Sequence, residues 1–382
     1  MEKRIAMKFR MLLAALAAFA PVAAPLPAWA QSAPVTDCPG RDTPFTAQSP
    51  LIDILLSPPA RAALEGAFAM NFDSMPPIVA STTPPSFAAI LTVREAAGWV
   101  GKPMEVVAAA DAALRQIPVT DADRVARCAR YDNDAVQFTF TGDGPKILLF
   151  EKINGFRDAP SVDAAHAALT QMAAREGWQM VSTQSGGAIN AETLGQFDAI
   201  IWNNISGDVL SLSQREALRD FVEGGGGFVA VHGSAGDPAY FWDWYVDTLI
   251  GARFAGHPRE PQFQEARVVV EGTDHPAAAD LPAEWVMRDE WYSFKNNPRD
   301  SGARIIARLD ESTYLPTAGR PDMIPMGEDH PIAWSRIVGR GRMFYSAIGH
   351  LPETYAQPNY VAMLEDGIHW AARMDGDGPN AD

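Results

Sequence analysis

Apolar positions fall into two regimes along the 382 residues of this chain. From Lys146 onward, short runs of consecutive apolar residues alternate with segments whose apolar residues recur every three or four positions. KILLFE (146–151), WQMVST (178–183), FDAIIWNN (197–204) and GFVAVH (227–232) read as buried strands. SVDAAHAALTQMAAREG, closing at Gly177, and LSQREALRDFVEGG read as helices between them. The second helix opens on Ser213-Gln-Arg-Glu216, the spacing of a capping box, and turns Leu218, Phe221 and Val222 to one face. Strands that are apolar on both faces, separated by amphipathic helices, specify a mostly parallel sheet with helices on both sides. The expected fold class is therefore α/β and doubly wound.

Beyond His232 the alternation loosens. PAYFWDWYVDTLIG is expected as a helix, and EARVVVEG, RIIARLD, IAWSRI and RMFYSAI as strands. The last two form a hairpin turning at Gly339-Arg340-Gly341, and YVAMLEDGIHWAARM closes the domain as a helix. Upstream, residues 31–50 are a Pro-rich lead. In residues 51–132 the stretches SFAAILTVREAAGWV, PMEVVAAADAAL and TDADRVARCARY carry helical spacing, with Thr120 and Asp123 placed as a capping box.

The first 30 residues change the picture of where the protein works. A basic start, an apolar Ala/Leu segment and Ala28-Trp29-Ala30 have the form of a cleaved secretory signal, which implies a periplasmic or secreted protein. The expected division is a signal peptide at 1–30, the lead and helical extension at 31–140, an α/β domain at 141–375, and a disordered acidic tail at 376–382. No later stretch is long and apolar enough to span a bilayer. Losing Glu2, Lys3, Arg4, Lys8 and Arg10 would deepen the formal charge from −16 to −19. That balance argues against nucleic acid and anionic membrane surfaces as partners, and leaves small neutral or cationic ligands. The only cysteines, Cys38 and Cys128, are candidates for a disulfide in an oxidising compartment.

All seven histidines lie beyond residue 145, and they carry unequal weight. His166 and His369 sit inside expected helices, and His275 in a turn before a short helix; packing or capping is their default. His232 terminates the fourth strand and is followed by Gly233-Ser234-Ala235-Gly236. Ligands of open parallel sheets bind outside the carboxyl ends of the strands, so this side chain is placed for chemistry. His350 repeats the arrangement after RMFYSAI, with Glu353 close behind. His257 and His330 lie in loops beside Gly, Pro and acidic residues. Glu290, in RDEWYSF, has aromatic neighbours expected to desolvate it and raise its pKa.

These segments together carry a resemblance. GFR at 155–157, GGGGFVAVHG, Gly251 through His257-Pro258, DEWYSF, LDESTY, DHPIAW, GRGRMFYSAIGH and GIHWA resemble the ThuA family, named for trehalose utilisation, over about Lys146 to Arg373. Residues 31–140 have no counterpart in that pattern. The resemblance implies the class I glutamine amidotransferase-like fold, a flavodoxin-like sheet. It also implies that His232 stands where that wider group has a nucleophilic Cys, with His350 and Glu353 in the places of its His and Glu. Imidazole cannot form the thioester of glutaminase chemistry, so that activity is rejected. The family pattern often has a His after GFR where this chain has Asp158, which puts the inherited specificity in question.

Three functions remain in view. The first is processing of a small-molecule sugar, in disaccharide or polyol catabolism through keto-sugar intermediates. Here His232, His350 and Glu290 are acid–base groups and His257, His330, Asp158 and Glu353 bind substrate. The second is hydrolysis with a divalent metal drawn from these four histidines with Glu290, Asp158 and Asp329, although no local ligand motif such as H-E-x-x-H is present. The third is non-catalytic sugar binding. Convergence of His232, His350 and Glu290 on one pocket is the geometry that favours catalysis.

Overall fold

The computed structural model describes residues 33–374. The expected signal segment and residues 376–382 lie outside them. Eleven strands are formed among the described residues: β1 (Lys146–Phe150), β2 (Gln179–Thr183), β3 (Ala199–Asn203), β4 (Gly227–Val231), β5 (Phe254–Gly256), β6 (Phe263–Val270), β7 (Glu284–Glu290), β8 (Ser293–Phe294), β9 (Arg304–Asp310), β10 (His330–Val338) and β11 (Gly341–Ser346). Nine of them make one sheet in the order β2-β1-β3-β4-β11-β10-β9-β6-β7, while β5 and β8 pair separately.

The sheet has two halves. β2, β1, β3, β4 and β11 are parallel, in the strand order of a flavodoxin-like fold. β10, β9, β6 and β7 continue it antiparallel. The difference is written in the residues. β1, β3 and β4 are apolar throughout and buried on both faces, whereas β7 alternates exposed and buried positions as a half-solvated strand does. Val338 pairs with Gly341, so the β10–β11 hairpin turns at the expected place.

Helices Ala159–Glu176 and Leu212–Glu223 occupy the expected intervals. The second begins earlier than its sequence spacing implied. Ser211, not Ser213, is the N-cap, with reciprocal bonds to Gln214, while the Ser213 N–H donates to Asp37 (2.9 Å) from the lead. Trp244–Ile250 winds as a π-helix ending at Gly251. Among the described residues no helix is long and apolar enough to cross a membrane.

The extension is helical, from Leu51–Leu55 to Asp121–Cys128, and the Thr120–Asp123 capping box is present. It has its own apolar cluster, including Phe45, Leu64, Phe68, Val107 and Leu114, distinct from the cluster around the sheet. A Cys38–Cys128 disulfide closes it across 90 residues. Buried polar contacts tie it down: Arg130 pairs with Asp53 at 2.6 Å, and the Tyr131 hydroxyl donates to Asp208 at 2.8 Å.

Candidate functional site

The carboxyl ends of β1, β3, β4 and β11 open on a cleft of about 450 Å³, within the range of small-molecule sites. β4 delivers His232 there through a strained turn. Its backbone φ is +39°, a conformation that costs a non-glycine residue about 1–3 kcal/mol and that collects at functional sites. A sharp strand-to-helix turn of this kind presents the nucleophile in α/β-hydrolases; here the turn presents an imidazole. The Tyr345 hydroxyl donates to the His232 carbonyl (2.9 Å), and the ring lies on Tyr292, with centroids 4.3 Å apart.

Because β4 and β11 are adjacent and parallel, the chain just beyond β11 runs beside His232. Nδ1 of His232 faces the Ala347 carbonyl at 2.7 Å and must donate to it. In the neutral ring Nε2 therefore keeps its lone pair, directed at His350 Nδ1 (3.1 Å) and Glu290 Oε2 (3.5 Å). His350 Nδ1 in turn lies 3.1 Å from the same Glu290 oxygen. The three atoms form one compact group that could hold a metal ion. Glu290 Oε1 is met by His257 Nδ1 (3.2 Å) and by the Gln262 amide.

Electrostatics here reverse one expectation. Desolvation does push the Glu290 carboxyl upward, but the imidazoles of His232, His350 and His257, where protonated, outweigh it and leave the pKa well below the usual range. For His350, burial pulls downward while Glu290 and Asp158 pull harder upward, so its pKa is raised. His257 moves the other way, lowered chiefly by burial. Two histidines around one carboxylate are thus biased toward opposite protonation states.

Asp158 joins the cleft as the N-cap of helix Ala159–Glu176, accepting from the Ser161 N–H at 3.3 Å, with an oxygen 3.8 Å from His350 Nε2. The Ser161 hydroxyl bridges the Asp158 carboxylate and the His350 carbonyl. Two expected residues are elsewhere. His330 is fully buried at the start of β10, pairing with Leu309 of β9. Its Nε2 donates to the Tyr292 carbonyl (2.8 Å) and its Nδ1 lies 2.7 Å from Glu311. It supports the tyrosine under His232 and does not line the cleft. Glu353 is exposed, because the chain after His350 winds into the 3₁₀ turn Pro352–Ala356 and directs it outward.

The carboxylate expected from that turn comes from β7. Asp289 is fully buried, and its oxygens accept from the N–H groups of Gly349, His350 and Leu351 and from the Thr354 hydroxyl. Desolvation raises its pKa against the pull of His232 and these donors. Strand alternation was a usable signal for it, since Trp285, Met287 and Asp289 share the buried face of β7. Asp237, also absent from the sequence reading, holds two loops together by accepting from the Ser206 hydroxyl (2.6 Å) and the Gly207 N–H (2.7 Å). Burial pushes its pKa up to about 7. Ser234, the other nearby nucleophile type, is committed: its hydroxyl donates to the Trp202 carbonyl and accepts from the Ile205 N–H.

A family model described as "ThuA: Trehalose utilisation" matches residues 146–371, more than half of the chain. The chain belongs to the ThuA family. A ThuA-like protein from Bacteroides uniformis is 25% identical with a TM-score of 0.52, the match covering 61% of this chain and 94% of that one. Another, from Parabacteroides merdae, is 16% identical with a TM-score of 0.46, covering 60% and 90%. No curated protein matches. The ThuA match starts at β1, so the ThuA domain holds His232, His257, Glu290 and His350, and the extension falls outside it.

Proposed function

We propose that this ThuA protein is an exported, divalent-metal-dependent enzyme acting on a sugar. One observation carries the reading: His232 Nε2, His350 Nδ1 and Glu290 Oε2 stand 3.1, 3.1 and 3.5 Å apart. A tetrahedral ion with bonds of about 2.0–2.1 Å needs ligand atoms roughly 3.3 Å apart. The Ala347 carbonyl behind His232 supports it, since metal-ligating histidines are held by a hydrogen bond from the other ring nitrogen. Two histidines and a carboxylate leave a position for water or a substrate oxygen, as in catalytic rather than structural zinc sites. When bound, such an ion would polarise a carbonyl or acidify a water.

The chain's own residues supply the rest. His257, biased to its neutral form, is the proton acceptor beside the triad, and Gln262 and Asp158 are hydrogen-bonding groups for hydroxyls. The family description and the cleft size support a sugar, with keto-sugar intermediates of disaccharide or polyol catabolism as the class that proton transfer beside a carbonyl would serve. Glutaminase chemistry is excluded from the proposal by the histidine at the nucleophile position and the committed Ser234 hydroxyl. Export is supported by the N-terminal sequence and by a disulfide of the kind that persists in oxidising compartments.

The opposite pKa directions of His350 and His257 favour a second reading, metal-free acid–base catalysis on the same substrates. The two separate in one experiment. Chelator-treated protein is titrated with zinc by calorimetry and incubated with 3-keto-disaccharides, products being followed by mass spectrometry. The metal reading expects stoichiometric zinc binding, lost in Glu290→Gln, and turnover abolished by chelation and restored by zinc. Turnover that survives chelation establishes the metal-free reading. Sugar binding without zinc binding or turnover leaves a non-catalytic binding protein.

A further inference from the structure

The geometry points to a second sugar subsite, built by the N-terminal extension and lying outside the family match. It rests on the reading that the cleft takes a sugar. Phe87, Ile90 and Trp99 line the same cleft as His232, Glu290 and His350. These three come from residues upstream of 146, where the ThuA match begins. The cleft of this chain is therefore a composite, with one wall the family pattern does not supply.

That wall is built and anchored. Phe87 stacks on Phe156 of the β1 loop, with centroids 5.2 Å apart and planes 21° apart; Trp99 meets Phe87 edge-on at 5.2 Å. The Ser86 N–H donates to the Asn154 carbonyl at 3.0 Å, tying the extension to the loop that carries Phe156. Gly155 between them lets the two approach. A Cβ there would lie 2.4 Å from Ile90 Cγ2 and 2.3 Å from Ser206 Oγ, so no larger residue fits. Trp99 ends a helix opened by a full Thr92–Glu95 capping box, which fixes its place.

Packing explains only part of this aromatic surface: Phe87 lies against the apolar cluster of the extension. Neither Trp99 nor Phe156 belongs to either hydrophobic cluster, and Trp99 is 46% exposed. Every residue the extension gives the cleft is apolar, so this wall suits a neutral ring with a C–H face rather than a charged group. A different aromatic set, Phe254, Phe263 and Tyr292, surrounds the triad, with Phe263 5.1 Å from His350 and Phe254 4.7 Å from Tyr292. Among the described residues no ring contact joins that set to Phe87, Trp99 and Phe156. Two separate stacking places call for two rings: a reacting sugar at the triad and the second ring of a disaccharide on the extension.

The test is calorimetric titration of the full chain, with and without zinc, using trehalose as a two-ring probe and methyl α-glucoside as a one-ring probe. The subsite makes trehalose bind at least about tenfold more tightly, a difference of about 1.4 kcal/mol. Trp99→Ala should erase that difference without changing the affinity for methyl α-glucoside, and Trp99→Phe should restore most of it. Because Trp99 is outside both clusters, the variant remains folded, which circular dichroism would check. Equal binding of the two probes by the wild type, absence of binding by both, or wild-type trehalose affinity in Trp99→Ala would overturn the subsite. Failure of the metal centre shows separately, as lost zinc binding with the trehalose increment intact.

Discussion

Replacing Asp289 by Asn alters one atom of a side chain that holds His350 from behind. Oδ1 accepts from the N–H groups of Glu290 (2.7 Å), His350 (3.0 Å) and Leu351 (3.2 Å), and Oδ2 from Gly349 N–H (2.9 Å) and the Thr354 hydroxyl (2.7 Å). An amide must put its NH₂ on one of these sides. Opposing three N–H groups is worse than opposing one, so the NH₂ takes the Oδ2 side. There the Thr354 hydroxyl can rotate and accept, but the Gly349 N–H loses its partner. One unsatisfied buried donor costs about 1–3 kcal/mol. Asp289→Ala strands four N–H groups and costs on the order of 4 kcal/mol or more, a large part of the ~5–15 kcal/mol that holds a domain together. Urea denaturation at constant slope reads the stability, and competition with a chelating dye reads zinc affinity. Loss of a supporting partner weakens metal binding about 10–100-fold, and Asp289→Asn should fall in that range. Thr354→Ala, which leaves all four N–H contacts intact, is the control and should change zinc affinity little. Wild-type unfolding and zinc binding in Asp289→Asn would refute the idea that this carboxylate positions His350.

Two further outcomes follow from groups remote from the cleft. His275 caps the helix Pro276–Ala279 by accepting the Ala277 N–H on Nδ1 (3.1 Å), and burial, then Arg304 and Arg342, lower its pKa to about 4. Its folded pKa lies below the unfolded value of ~6.5, so its contribution is complete above that value and is lost as pH falls toward 4, on the order of 3 kcal/mol. Stability measured between pH 7 and 4 should flatten in His275→Gln; an unchanged profile would assign the loss to other groups. Cys38→Ser opens a loop of 90 residues, for which the loop-closure model gives about 4–5 kcal/mol. Wild type with reductant should then unfold like the variant, whereas equal midpoints with and without reductant would show that the bridge does not stabilise the protein.

What the sequence made legible was whatever local spacing controls. The parallel half was readable because strands buried on both faces leave unbroken apolar runs, and His232 and His350 because each ends such a run. That the two meet, 118 residues apart, depends on β4 and β11 being neighbours, a pairing that no local pattern encodes. Glu290 was found by its aromatic surroundings, but the direction of its pKa was inverted, since desolvation was visible in the sequence and three converging imidazoles were not. His330 has the composition of a loop residue and becomes buried only because β9 pairs with it. Glu353 was misplaced for a similar reason: its distance from His350 in sequence says nothing about the 3₁₀ turn that points it away. The capping residue of Leu212–Glu223 moved from Ser213 to Ser211, because two serines offered competing starts and Asp37, far upstream, occupies the Ser213 N–H.

The order of the sheet has a consequence for how this protein acquires its chemistry. Glu290 ends the strand at the far edge of the sheet, yet it reaches the ends of β4 and β11, so the edge curls back over the parallel half. Sixty residues separate it from His350, and no two members of the triad share an element. The β4–β11 pairing alone brings His232 and His350 together, and the carboxylate joins them only when the β7 edge is in place, so full affinity for a metal requires the whole sheet. A ligand bound across the triad would pin the β7 edge to the middle of the sheet, raising the cost of unfolding by about 4 kcal/mol at a thousand times its Kd.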